Sequence, residues 1–167
     1  MGRKVHIMGI VNLTPDSFWE GSRAGGVEDA LQRIRTQFAE GAEVVDVGAC
    51  SSRPGAAQPS EEEEWARLEP VLKALDGQKI SIDTYRSGIV QRAYDVMGPF
   101  LVNDISAGQM DPDMLRTVGR IGLPYVAMHM QGTPETMQQM TDYQDIVAAV
   151  IAYFRDFSHQ AADNGID

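Results

Sequence analysis

Residues 79 to 104 read Lys79-Ile80-Ser81-Ile82-Asp83, then a polar turn, then Ser87 to Met97, then Phe100-Leu101-Val102-Asn103-Asp104. The two flanking runs are short and mostly apolar, and each closes on a polar side chain. The middle segment has helical spacing. This is a strand, a helix and a second strand, and strands that alternate with helices argue for a parallel sheet.

The same alternation extends both ways. Upstream, Val5 to Val11 reads as a strand. Val27, Ala30, Leu31, Ile34 and Phe38 mark an amphipathic helix that stops near Gly41, and Val44 to Val47 is a second strand. The acidic run Glu61-Glu62-Glu63-Glu64 looks like a charged patch but has a local reading. Ser60 followed by Glu63 makes a capping box, and acids suit the positive end of a helix dipole. Trp65, Leu68, Leu72 and Leu75 continue that helix. Downstream, a short helix is predicted around Pro112 to Arg120 and a fifth strand over Pro124 to His129. A last helix carries Ile146, Val147, Val150, Ile151 and Phe154.

Five β-α units in a row fit two folds, a doubly wound open sheet or an eight-fold barrel. The first loop lacks G-x-G-x-x-G, and no G-x-x-x-x-G-K-[ST] occurs, which weakens the nucleotide-binding open sheets. No G-x-S-x-G elbow supports serine hydrolase chemistry. The 167 residues carry 24 acids against 14 Lys and Arg, a net charge of -10. That balance excludes the clustered basic surface of a nucleic-acid binder and disfavours an anionic membrane. The single cysteine, Cys50, allows no internal disulfide and fits a reducing compartment. With no signal peptide in view, the expectation is a single-domain, cytoplasmic protein over residues 1–167.

The strand ends are the informative feature. Asn12 follows the first strand and leads into Thr14-Pro15-Asp16-Ser17-Phe18. Asp46 lies in the second strand, which runs on to Ser51-Ser52-Arg53-Pro54-Gly55. The next three end at Asp83-Thr84, Asn103-Asp104 and Met128-His129. In parallel α/β folds the ligand sits at that edge. Asp83 ends an otherwise apolar strand, and its carboxylate could accept from the paired N–H donors of a flat heterocycle such as a pterin. Asn103, with a donor and an acceptor, could read the neighbouring edge. Asp104 is balanced between a ligand contact and a turn cap. Arg53 could clamp an anion with its forked donors or lie solvated at the surface. His129 reads as packing and Cys50 as a small buried filler.

These residues resemble a known family. Met8 to Phe18 is similar to the first signature of dihydropteroate synthase, and Asp46-Val47-Gly48 through Ser51-Ser52-Arg53-Pro54-Gly55-Ala56 to the second. Ile82-Asp83-Thr84-Tyr85, Val102-Asn103-Asp104-Ile105 and Met128-His129-Met130-Gln131-Gly132 resemble three further strand ends of that family. The resemblance implies a TIM (β/α)8 barrel, of which this chain supplies about the first five β/α units. It also implies a transferase of folate biosynthesis. That reaction joins 6-hydroxymethyl-7,8-dihydropterin diphosphate to 4-aminobenzoate, giving 7,8-dihydropteroate and diphosphate with Mg2+ as cofactor.

Carried over position by position, the resemblance makes Asp83, Arg53 and Asp16 catalytic. Asp83, Asn103 and Met128 then bind the pterin. Asn12, Ser52 and Arg53 bind the diphosphate, with Asn12 also the magnesium ligand. Phe18, Ser52 and Pro54 border the aminobenzoate, where sulfonamides compete. The implied partners are these two small molecules, with no nucleic acid and no membrane, and a homodimer when full length. Two local departures stand out: Ser52 replaces the usual threonine, and Trp19-Glu20 replaces Ser-Asp. Eight units would need about 250 residues, and the motifs of the last three strands are absent. Two other readings stay open: a pterin-binding methyltransferase-type barrel, and a truncated pterin-binding chain without catalysis.

Overall fold

The computed structural model describes residues 5–13, 23–50, 58–134 and 136–166. Five strands, β1 (Met8–Asn12), β2 (Val44–Gly48), β3 (Ile80–Asp83), β4 (Leu101–Asp104) and β5 (Tyr125–Ala127), pair in chain order, every pair parallel. Helices α1 (Arg23–Ala39), α2 (Glu61–Lys73), α3 (Ser87–Met97) and α4 (Met114–Ile121) connect them, and α5 (Ile146–Asp163) follows β5. A doubly wound sheet reverses its strand order at a switch point. Here the order runs β1 to β5 without reversal, which is the barrel arrangement.

The strands have two different faces, because alternate residues point to opposite sides. Val11, Val45, Val47, Ile80, Ile82 and Val102 are buried and share one core with Ile34 of α1, Leu68 and Leu72 of α2, Ile89 and Val90 of α3, and Met114 and Val118 of α4. The intervening residues line the concave side: Met8, Ile10 and Asn12 from β1, Asp46 and Gly48 from β2, Ser81 and Asp83 from β3, and Asn103 from β4. That face is mixed: Asn12, Asp46, Ser81, Asp83 and Asn103 are polar, and Met8 and Ile10 are apolar. Continuous apolar runs were expected; the structure replaces that expectation with an apolar outer face and a mixed inner one.

The expected capping box is present. Ser60 is the N-cap of α2. Its hydroxyl accepts from the Glu63 backbone N–H at 3.2 Å, and the Glu63 carboxylate accepts from the Ser60 N–H at 2.7 Å. Gly122 ends α4 at φ 78, a left-handed conformation that glycine adopts without penalty. β1 begins at Met8, not Val5, because its pairing with β2 begins at Val44. β5 stops at Ala127, where its pairing with β4 ends at Asp104. In α5, Ile146, Val147 and Ile151 are exposed among the described residues, while Val150 and Phe154 are partly buried. No helix among the described residues is long and apolar enough to cross a membrane.

One buried ion pair ties the helices to the strand ends. Glu64, fully buried in the first turn of α2, accepts from Thr84 Oγ1 at 2.7 Å and pairs with Arg86. Arg86 also donates to the Pro59 carbonyl at 2.6 Å and to Cys50 Sγ at 3.6 Å. It therefore contacts Cys50, just after β2, and Pro59, just before α2. Removing one partner of a buried pair leaves a charge with no compensation, which costs about 3–5 kcal/mol. Arg86→Met should lower unfolding free energy in denaturant by about that much. The double variant Arg86→Met, Glu64→Leu should recover part of the loss. A double variant less stable than the single one would show that the pair itself, not the orphaned charge, carries the stability.

Candidate active site

Parallel register builds the site. Asn12 pairs with Gly48, Gly48 with Asp83, and Asp83 with Asn103, so the four form one row across β1 to β4 at the C-terminal edge. Ile10, Asp46, Ser81 and Leu101 form the row beneath. Gly48 is the gap in the upper row. A Cβ there would lie 3.1 Å from Asp83 Oδ2 and 3.5 Å from Asn12 Oδ1. The absent side chain is the space into which Asp83 and Asn12 lean from either side.

The Asp83 carboxylate makes no hydrogen bond or ion pair among the described residues. Burial pushes its pKa up to about 7, and the negative charges of Asp46, Glu64 and Asp104 push the same way. A largely desolvated carboxylate without a donor is costly unless a ligand supplies one. Below it, Asp46 is buried and accepts from Asn103 Nδ2 at 3.1 Å. Burial raises the Asp46 pKa, while Ser81 and Asn103 act against the rise. Ser81 lies beside Asp46, yet neither Ser81 Oγ nor Asp46 Oδ1 makes a well-formed hydrogen bond.

Asp104 belongs to a different chemistry. It is fully buried and accepts from Ser106 N, Ser106 Oγ, Gly108 N and Tyr125 Oη at 2.6–2.8 Å. Its oxygens are satisfied, and they hold a turn in which Ala107 sits at φ 50, unusual for alanine. Burial and Asp104 together raise the Tyr125 phenol, which keeps it a donor. Of the two readings open for Asp104, the structure selects the turn cap.

The structure thus brings Asn12, Asp83 and Asn103 together. Met128, two residues beyond Val126, the register partner of Asn103, is 37% exposed on the same side. Asp16, Phe18, Ser52, Arg53 and Pro54 lie outside the described residues. His129 packs edge-on against Tyr153, with ring centroids 4.7 Å apart, as expected of a packing residue. Cys50 is half-buried, and burial with Glu64 nearby pushes its thiol well up, away from nucleophilic use. Sequence reasoning named Asp46 among the polar strand-end residues but gave it no role, and passed over Ser81. Their signal was spacing: each stands two residues before an upper-row position, Gly48 or Asp83, and therefore on the same face.

The profile of the family described as pterin binding enzyme matches residues 8–167. The chain belongs to that family. Among curated proteins, it is 40% identical over 152 residues to the dihydropteroate synthase of Escherichia coli, covering 89% of this chain and 53% of that one. It is 44% identical over 147 residues to a mitochondrial folate synthesis bifunctional protein of Arabidopsis thaliana, covering 84% of this chain and 26% of that protein. It spans about half the length of the single-function synthases it matches. Among solved structures, the dihydropteroate synthase of Yersinia pestis in a sulfonamide complex aligns with TM-score 0.86 at 35% identity, over 97% of this chain and 59% of that chain. The Xanthomonas albilineans enzyme with 4-aminobenzoic acid aligns at 0.83 and 36%, over 97% and 57%. The fold is that of the (β/α)8 barrel, with the first five β/α units present here. The five-unit expectation and the family resemblance both hold.

The raised pKa of Asp83 gives this pterin binding family member a pH signature. Between the ordinary value of 3.8 and about 7, the folded state holds a proton that the unfolded state has released. Stability therefore falls as pH rises through that window and levels off above it. Asp83→Asn removes the penalty. Denaturant melts should find the variant more stable than wild type at pH 8 by about 2–4 kcal/mol, and equal to it at pH 4. A variant that gains nothing at pH 8 would place the carboxylate in a satisfied environment.

Proposed function

We propose that the intact protein is a dihydropteroate synthase (EC 2.5.1.15). It condenses 6-hydroxymethyl-7,8-dihydropterin diphosphate with 4-aminobenzoate to give 7,8-dihydropteroate and diphosphate. The observation that carries this reading is the Asp83 carboxylate, without a donor among the described residues, beside Asn103 at the C-terminal strand edge of a pterin-family barrel. The similarity to curated synthases over most of this chain supports it. So does the fit to structures solved with 4-aminobenzoic acid, a sulfonamide or 7,8-dihydropteroate.

In this reading Asp83 accepts two N–H bonds from the pyrimidine edge of the pterin, which repays the desolvation of its charge. Asn103 pairs with the adjoining donor and acceptor, and Met128 packs on the ring face. The bond between the pterin methylene and the diphosphate oxygen breaks, and the electron pair leaves with diphosphate. The arylamine nitrogen then attacks the methylene carbon and gives up a proton. Arg53 and Ser52 hold the departing charge. Phe18, Pro54 and Ser52 border the aminobenzoate, and Asp16 acts from the first loop, which keeps water from the electron-poor pterin.

The residues present fit a magnesium ion carried mainly by the substrate. Asn12 offers an exposed amide oxygen at the rim, a hard donor of the kind Mg2+ takes beside waters and phosphates. Among the described residues no cluster of three or more His, Cys, Asp or Glu could cage a metal. When bound, Mg2+ would neutralise charge on the leaving diphosphate. For the compartment we propose the cytoplasm, on the composition expected of a reducing environment. Two matched plant proteins are named mitochondrial, and fractionation of the source cell distinguishes these.

Asp83→Asn should weaken binding of an unreactive pterin by roughly a hundredfold in calorimetry, because two charge-assisted bonds lose their acceptor. Unchanged affinity would refute the role. Arg53→Ala should lower kcat for diphosphate release far more than it weakens that neutral pterin. Equal losses would leave Arg53 a loop-supporting residue. Intact protein that binds pterin but never turns over would favour a binding chain without catalysis.

A further inference from the structure

We propose that Asp46 is a positioning residue of this site: its buried carboxylate fixes the orientation of the Asn103 amide, so that Asn103 turns its carbonyl oxygen and remaining N–H toward the pterin. The inference rests on the pterin reading above and deepens it.

An asparagine amide has two orientations that differ by half a turn and are nearly isosteric. Only one presents the correct acceptor and donor to an asymmetric ring. Asp46 lies in the lower row on β2, and Asn103 in the upper row on β4, so their contact spans β3. The bond from Asn103 Nδ2 to Asp46 Oδ2 measures 3.1 Å. A carboxylate oxygen only accepts. The flipped amide would set its own oxygen against it, replacing a charge-assisted bond with a repulsive contact. The Asn103 side chain makes no other hydrogen bond among the described residues, which leaves the carbonyl and the second N–H for a ligand.

Packing does not explain a carboxylate at this position. Asp46 is 6% exposed and Ser81 is fully buried, yet Asp46 Oδ1 and Ser81 Oγ make no well-formed hydrogen bond among the described residues. An apolar side chain would fill the same space without orphaned polar atoms. What Asp46 supplies that valine or leucine cannot is direction for the amide above it. Ser81, beside it in the row, is a further polar neighbour of the same lower layer.

The test is a double-mutant cycle in the intact protein, read by calorimetry with an unreactive pterin and by steady-state kinetics. Asp46→Asn keeps the shape but accepts either amide orientation. It should weaken pterin affinity about tenfold and raise KM for the pterin substrate, with KM for 4-aminobenzoate unchanged. In an Asn103→Ala background the same change should cost nothing further, because there is no amide left to orient. Full affinity in Asp46→Asn, or a loss that simply adds to that of Asn103→Ala, would overturn the proposal.

A second measurement does not depend on any variant folding. In wild type, one side-chain amide proton of Asn103 should resist exchange with water, and free exchange of both would overturn the assignment. Wild type with no pterin affinity sinks both the pterin reading and this inference, whereas binding that Asp83→Asn abolishes and Asp46→Asn leaves intact sinks this inference alone.

Discussion

The parallel register of β1 to β4 is the constraint on which the rest depends. It sets Asn12, Gly48, Asp83 and Asn103 in one row. A slip of one residue in any strand would exchange its inner and outer faces. The apolar outer face prevents that slip: Val45, Val47, Ile80, Ile82 and Val102 are all but fully buried under the helices. The core thus does two things at once. It supplies the hydrophobic stabilisation of a helix-covered sheet, and it dictates which side chains face the concave side.

Two aspartates near this edge show how environment, not residue type, divides structure from function. Asp104 is buried with four donors and holds a turn. Asp83, in the neighbouring strand, is largely buried with no donor among the described residues and with acids around it. The first lowers the energy of the fold. The second raises it, and a site that stores such a cost is ready to bind a ligand carrying N–H groups. Asp46 lies between these cases, with one oxygen bonded to Asn103 and the other without a well-formed hydrogen bond among the described residues.

Much of this was legible in the residues. The strand-helix alternation and the Ser60 capping box are local signals, and both appear in the structure with strand bounds shifted by a few residues in β1 and β5. Asp83 stood out because a carboxylate closing an apolar strand needs a partner. Asp104 could not be assigned from sequence, because its decisive partners include Tyr125 from the next strand. Asp46 was visible as a polar strand residue but its partner, Asn103 of β4, was not, and Ser81 was hidden by reading β3 as one apolar run, whereas a barrel strand has two faces with separate requirements. The residues of α5 read as apolar and helical, correctly, but helical period says nothing about whether a partner covers them.

The measurement closest to the central claim is a carboxyl 13C titration of Asp83 in the intact protein, without ligand and with a saturating unreactive pterin. The account predicts a midpoint raised above the ordinary carboxylate range in the free protein, shifted down toward that range when pterin N–H groups occupy both oxygens. A midpoint in the ordinary range without ligand, or one that saturating pterin leaves unmoved, would contradict it.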